Sequence, residues 1–227
     1  ISDWKKYREE LMERSGSGSK EIRMIHNRAK SNLKRIVFAE ADHLDVLKAA
    51  QRVHEEKLGK PILLGRKELI LALKEEIGFT ADVPIFDPKT DEEKERRDRF
   101  GEAYWKRRQR KGRTLSEAKK LMRERNYFGC MLVETGAADA LISGITRNYK
   151  DVIKPALNVI GTAKGVNHVA GMYIMMTKRG PIFMADTTVN IRLNGLDSYF
   201  DGTDGYIHTI RYTNADPVIY NFQVVCD

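Results

Sequence analysis

Between Glu21 and Pro88 the chain alternates helix-like and strand-like hydrophobic periods, and that alternation leaves very few architectures open. Ile22, Ile25 and Ala29 recur at helical spacing, and Arg35–Ala39 is a short apolar run of the buried-strand kind. Leu44, Leu47, Ala50 and Val53 return to helical spacing before a second strand-like run, Pro61–Leu64. Leu69–Ile77 reads as a helix and Val83–Phe86 as a strand, with Asp87-Pro88 as its turn. Strands separated by helix-length segments cannot be hairpin partners; they need crossovers, and crossovers make parallel neighbours. The predicted fold class is therefore α/β, a mostly parallel sheet with helices on both faces.

The rhythm breaks over residues 91–126, which predict two long charged helices separated near Lys111-Gly112-Arg113. Thr114 and Glu117 have capping-box spacing, and Leu115, Ala118, Leu121 and Met122 supply an apolar stripe behind it. Tyr127–Thr135 and Asp151–Ile160 predict further helices, with Pro155 placed early in the second, where its missing N–H is not needed. His168–Thr177 and Pro181–Ala185, joined by Lys178-Arg179-Gly180, read as a hairpin that would make the sheet mixed. At the start, Trp4, Tyr7 and Leu11 share one helical face, and Ser15-Gly16-Ser17-Gly18-Ser19 follows as a flexible linker.

With 41% apolar and 32% charged residues, the chain has the composition of a soluble globular protein. No apolar run is long enough for a membrane-spanning helix, and Ile1–Arg14 is too charged for a signal peptide, so no membrane partner is expected. Cys130 and Cys226 lack metal-ligand spacing and read as free thiols of a reducing cytoplasm. The absence of an initiator Met reads as a fragment. The net charge of +8 is unevenly placed: residues 192–227 contain no Lys and no Glu and carry −3, so the preceding residues carry +11. Such a break predicts a tail foreign to the fold, as a shifted reading frame would produce; a divergent β tail is the other reading.

Lys94–Arg113 holds ten Lys or Arg against three acids, with Phe100, Tyr104 and Trp105 between them. A nucleic-acid face would need exposed aromatics and charge gathered on one side. Here the aromatics share the buried stripe of a helix, so core packing is the better reading and no nucleic-acid partner is expected.

The most informative stretch is Asp139-Ala140-Leu141-Ile142-Ser143-Gly144-Ile145-Thr146-Arg147, an apolar strand that ends in a small-residue turn and an arginine. Ligands of open α/β sheets bind beyond the carboxyl ends of strands. Gly144 lets the backbone approach a ligand, Ser143 and Thr146 add hydroxyls, and Arg147 can fork onto a phosphate or carboxylate. The plainer reading is a strand-to-helix turn whose Arg caps a neighbour. Taken by themselves, Lys154 reads as solvated on the next helix, and Asp186 and Asn190 read as turn-forming Asx residues. Glu40, Asp42 and Asp45 cluster after the first strand; an N-terminal cap accounts for Asp42 better than Mg²⁺ does. The five histidines lack metal spacing, so no metal site is assigned, and no catalytic residue can be named.

Asp139–Asn190, supported by Ile22–Arg28, Arg35–Ala41, Pro61–Arg66 and Arg125–Gly129, resembles the first half of the phosphate acetyl/butyryl transferase family. The wording is nearest to the transferase-like domain fused behind the catalytic part of bacterial NADP-dependent malic enzymes. The match covers roughly residues 1–191 and then stops. The resemblance implies an isocitrate/isopropylmalate dehydrogenase-like fold with its second domain truncated. It divides the chain into a joint helix and linker (1–19), an incomplete transferase-like domain (20–191) and a divergent tail (192–227). It also implies that Ser143, Gly144, Thr146, Arg147, Lys154, Asp186 and Asn190 line a cleft for acetyl-CoA or an acyl phosphate. Many family members carry Arg where this chain has Lys154, and Lys keeps the charge but loses the two-pronged grip. The implied role is an oligomerising, acetyl-CoA-sensing module of a malic enzyme, forming homo-oligomers. NADP and Mg²⁺ or Mn²⁺ would belong to the malic enzyme part upstream, and no Gly-x-Gly-x-x-Gly occurs here. The alternatives are an active phosphate acetyltransferase and, more remotely, a basic nucleic-acid module.

Overall fold

The computed structural model describes residues 20–163, 166, 169, 171–177 and 180–185. These fall into two units, each taken by itself, one within Asn32–His168 and one combining a helix before it with a hairpin after it. The larger unit runs β1 (Lys34–Phe38), α2 (Leu44–Glu55), β2 (Gly59–Leu64), α3 (Lys67–Glu76) and β3 (Ile85–Phe86). It continues through a 3₁₀ turn into α4 (Lys94–Arg108), α5 (Leu115–Leu121), α6 (Arg125–Glu134), β4 (Ala140–Ile142) and α7 (Tyr149–Val159). The smaller unit holds α1 (Lys20–Ser31), β5 (Met172–Thr177) and β6 (Gly180–Ala185).

The four strands of the larger unit are ordered β3-β2-β1-β4, and every pairing is parallel. β5 and β6 pair antiparallel as a two-stranded sheet of their own, so the expected single mixed sheet is corrected to one parallel sheet and a separate hairpin. Side chains alternate across a strand. Val37, Ala39, Ile62 and Leu64 accordingly enter one core with Phe100, Tyr104, Phe128 and Met131. Phe38 and Leu63 enter a second core with Leu47, Ala50, Ile70 and Phe79 on the opposite face. Each Leu or Phe buried this fully contributes roughly 2 kcal/mol. With both faces covered, continuous apolar runs such as Ile62–Leu64 are what a parallel strand requires.

Three local features fix the elements near the candidate site. A Cβ on Gly129 would fall 2.7 Å from Leu141 Cδ1, so α6 can lie this close to β4 only without a side chain there. Arg107 and Arg108, at the end of α4, donate to the carbonyls of Val159, Asn158 and Leu157 at 2.6, 2.8 and 2.9 Å. They satisfy the last carbonyls of α7 and place positive charge at its negative end. The capping box at Thr114 and Glu117 is present, but α5 is only 7 residues, not a second long helix. Phe100 and Tyr104 are buried, in edge-to-face contact with Phe128 and Tyr127, while Trp105 packs half-buried against the same core.

The placement of Pro155 is a further correction. Asn148 immediately precedes α7 without a side-chain capping bond, and Pro155 is interior to the helix, not in its first turn. Its missing N–H therefore leaves the Asp151 carbonyl without the helical donor.

Candidate functional site

The strand order reverses direction at β1: β2 lies on one side of it and β4 on the other. Loops leaving the carboxyl ends of β1 and β4 therefore diverge, which opens a crevice where α/β sheets bind ligands. The β1 loop carries Glu40 and Asp42, and the β4 loop carries Ser143, Gly144, Thr146 and Arg147.

Glu40 is 1% exposed, and its carboxylate is the hub of the β4 loop. Its Oε1 accepts from Gly144 N–H at 2.6 Å and from Ser143 Oγ at 2.9 Å. Its Oε2 accepts from Thr146 N–H at 2.6 Å and from the Thr146 hydroxyl. Burial pushes the Glu40 carboxyl up, and the bonds from Thr146, Gly144 and Ser143 outweigh it, so the group stays below the usual range and charged. Gly144 has φ +133°, a backbone conformation that a side chain would strain, and this turns its N–H toward Glu40. Ser143 Oγ also lies 2.9 Å from Asn126 Oδ1, yet one hydroxyl proton cannot serve two acceptors. Asn126 Nδ2 is buried without a partner, and turning that amide over lets its NH₂ donate to Ser143 while Ser143 donates to Glu40.

Two residues on, Asp42 organises cations. Arg66 Nε reaches it at 3.1 Å and Arg125 Nη1 at 2.9 Å. Burial raises the Asp42 carboxyl, but the Arg125 charge and the Arg66 bond prevail and hold it below its ordinary value. Asp42 is thus not the cap of α2, as the sequence suggested; His43 is, through an Nδ1 that accepts from Asp45 N–H at 3.3 Å. Among the described residues no cluster of His, Cys, Asp or Glu could hold a metal ion.

Beside these two acids lies a cavity of about 330 Å³ lined by Arg66, Lys89, Lys120, Arg123, Arg125 and Arg147, with only Asp87 and Glu124 as acids. Arg147 is exposed, with no ion pair to any described residue, and the Lys89 and Lys120 ammonium groups are likewise uncommitted. A second cavity, of about 500 Å³, is lined by Phe38, Glu40, Val46, Ile142, Ser143 and Gly144 among others. Chemically the arrangement offers a fixed loop, a positive pocket and an apolar recess, a combination suited to holding an anionic group with an apolar extension.

Of the residues singled out from sequence, Ser143, Gly144 and Thr146 converge on Glu40, while Arg147 lines the basic cavity. Lys154 is exposed on α7 and lines neither cavity. Asp186 and Asn190 lie outside the described residues, as does the tail from 192. Sequence reasoning missed the role of Glu40 and the cations at 66, 89, 120, 123 and 125. Gly65-Arg66 was findable, because it ends β2 as Gly144 and Arg147 follow β4. The others reach the cavity only through long-range folding.

The profile of the family described as Phosphate acetyl/butaryl transferase matches residues 21–194. A phosphate acetyltransferase of Thermoanaerobacterium thermosaccharolyticum is 34% identical over 175 residues, covering 74% of this chain and 52% of that protein. A probable NADP-dependent malic enzyme of Rickettsia prowazekii is 33% identical over 174 residues, covering 76% of this chain and 22% of that protein. Among solved structures, EutD phosphotransacetylase from Staphylococcus aureus superposes with a TM-score of 0.65 at 28% identity, covering 75% of this chain and 52% of that one. The chain thus spans about half the length of these two transferases. No described helix is long and apolar enough to cross a membrane.

Proposed function

We propose, from the premise that this chain belongs to the Phosphate acetyl/butaryl transferase family, that the carboxyl edge of its parallel sheet binds the phosphate-bearing part of acetyl-CoA or an acyl phosphate. One observation carries this reading. Arg147, free of any described carboxylate, stands on a loop immobilised by Glu40 and faces a cavity with five further cations. A guanidinium held on a fixed loop loses little freedom when it forks onto a phosphate, and neighbouring ammonium groups add attraction without needing that geometry.

Within a longer protein, this binding supports either of two roles. As the C-terminal region of an NADP-dependent malic enzyme, the domain would sense acetyl-CoA and join subunits. Its ligand would have to bind two arrangements of the enzyme with different affinity, since equal affinity shifts nothing. Similarity to the Rickettsia protein supports this role. As part of a phosphate acetyltransferase, the cations would hold phosphate while one of its oxygens attacks the thioester carbonyl. The C–S bond then breaks and the thiolate takes up a proton. That step needs a donor at the carbonyl oxygen and an acid at the sulfur, and family resemblance assigns those groups to a domain beyond residue 191. Similarity to the transferases supports this role equally.

The deciding experiment is made on the longer protein that carries this domain, and measures acetyl-CoA binding by calorimetry alongside phosphate-dependent thiol release. Binding without release assigns the sensing role, release assigns the transferase, and the absence of binding overturns both. Arg147→Ala is expected to weaken binding about tenfold, the loss of one charge-assisted bidentate contact.

A further inference from the structure

We infer that Glu40 is the positioning residue of the site: its buried carboxylate sets the conformation of the 143–147 loop and thereby the place of Arg147. The inference rests on the ligand reading above only for what the loop then holds.

Every described donor to the Glu40 carboxylate comes from that loop. Gly144 N–H, Thr146 N–H, the Ser143 hydroxyl and the Thr146 hydroxyl fill both oxygens, and all four donors are neutral. Among the described residues no Lys or Arg forms an ion pair with Glu40, although Asp42, two residues on, holds two. A carboxylate paired with a cation would be neutralised at one point. This one instead spreads its charge over a backbone nest, so it fixes φ and ψ of several consecutive residues at once. The division of labour is plain from the donors. Asp42 anchors the guanidinium groups of Arg66 and Arg125, two walls of the basic cavity. Glu40 anchors the backbone that presents a third, Arg147.

Both anchors sit in the same turn after β1, an inner strand, which is paired on both sides and covered on both faces. β4 by contrast contributes only Ala140–Ile142 and, among the described residues, pairs on one side. The rigid strand therefore dictates the geometry of the weaker one through a side chain, and a carboxylate is required because four donors aim at it. An isosteric amide keeps the volume but places an NH₂ group against N–H donors and offers a single accepting oxygen.

The test compares hydrogen exchange of the whole chain in wild type, Glu40→Gln, Glu40→Asp and Thr146→Val, with acetyl-CoA binding measured on each. Glu40→Gln is expected to speed exchange of the Gly144 and Thr146 amides at least tenfold while leaving β1 amides protected, and to weaken acetyl-CoA binding at least tenfold. Glu40→Asp, which keeps the charge, is expected to restore part of both, an order that simple loss of packing volume would reverse. Thr146→Val removes one donor from an exposed side chain and is expected to speed the Thr146 amide a few-fold, which keeps the test open if Glu40→Gln fails to fold. Unchanged loop exchange in the variants that fold, or Gln matching wild type while Asp does not, overturns the inference. Faster loop exchange in a protein whose wild type binds no acetyl-CoA upholds the positioning role and overturns the ligand reading instead.

Discussion

The pair β1–β4 is tied at both ends by a carboxylate, and the two ties are built on opposite principles. At the carboxyl end, Glu40 is buried and accepts only neutral donors. At the amino end, Asp139 accepts from the Arg35 backbone N–H at 2.7 Å and from its guanidinium at 3.0 and 3.1 Å, with both side chains well exposed. The exposed tie gains little net free energy, because water solvates both partners well when they separate and salt screens them when they meet. The buried tie has no such alternative: if its acceptor is removed, the donors are left wanting. The same strand pair is thus held loosely where nothing is proposed to bind and firmly where the candidate site lies.

The sharpest way to break this contrast is to delete each carboxylate in turn. Glu40→Ala is expected to cost about 3 kcal/mol in urea unfolding, the order expected when a buried charged acceptor leaves several donors unpaired. A loss no greater than that of Asp139→Ala would erase the distinction. Gly144→Ala should follow at about 2 kcal/mol, since the positive φ of Gly144 strains any side chain; an unchanged melting temperature would mean that the loop adapts freely.

Asp139→Asn should have a smaller effect and a diagnostic pH dependence. Side-chain and backbone bonds from Arg35 hold the Asp139 carboxyl down at about 2, against an ordinary 3.8. A depressed carboxyl contributes stability that is present above the unfolded value and is lost as pH falls through the folded one. The difference between wild type and variant should therefore be full above about pH 5 and fade between 3.8 and about 2; it should also shrink in high salt. A pH-independent difference would show that the pair is not what the substitution removed. The smallest expected effect serves as the control. Burial pushes the Cys130 thiol up to about 12, so native Cys130 should resist alkylation at pH 8, as mapped on its own peptide. It should stay protected in Glu40→Gln if only the loop has opened.

Much of the larger unit was legible from period and punctuation. Arg35–Ala39 and Pro61–Leu64 lie almost where β1 and β2 do, and the Thr114 capping box marks the start of α5. These signals are local, and local signals survive in a sequence. The hairpin was legible as a hairpin, but whether it joins the larger sheet is a question of edges that no short window contains. The loop after β4 stood out as a place where a ligand could bind. What holds it did not, because Glu40 and Thr146 are 106 positions apart. Asp42 misled for a related reason: it has the side chain of a cap and stands near a helix start, but two distant arginines outcompete that use.

The register of β1 against β4 has a kinetic consequence. Val37 meets Leu141 only after a loop of about a hundred residues has closed, an entropic toll that hairpins and single helices never face. β1, α2 and β2 can assemble from neighbours in sequence, whereas the clamp on Glu40 must wait for that closure. During refolding, helical signal should therefore return well before the Gly144 and Thr146 amides gain protection, and newly made protein should pass through a stage that looks folded while the candidate site is still unformed.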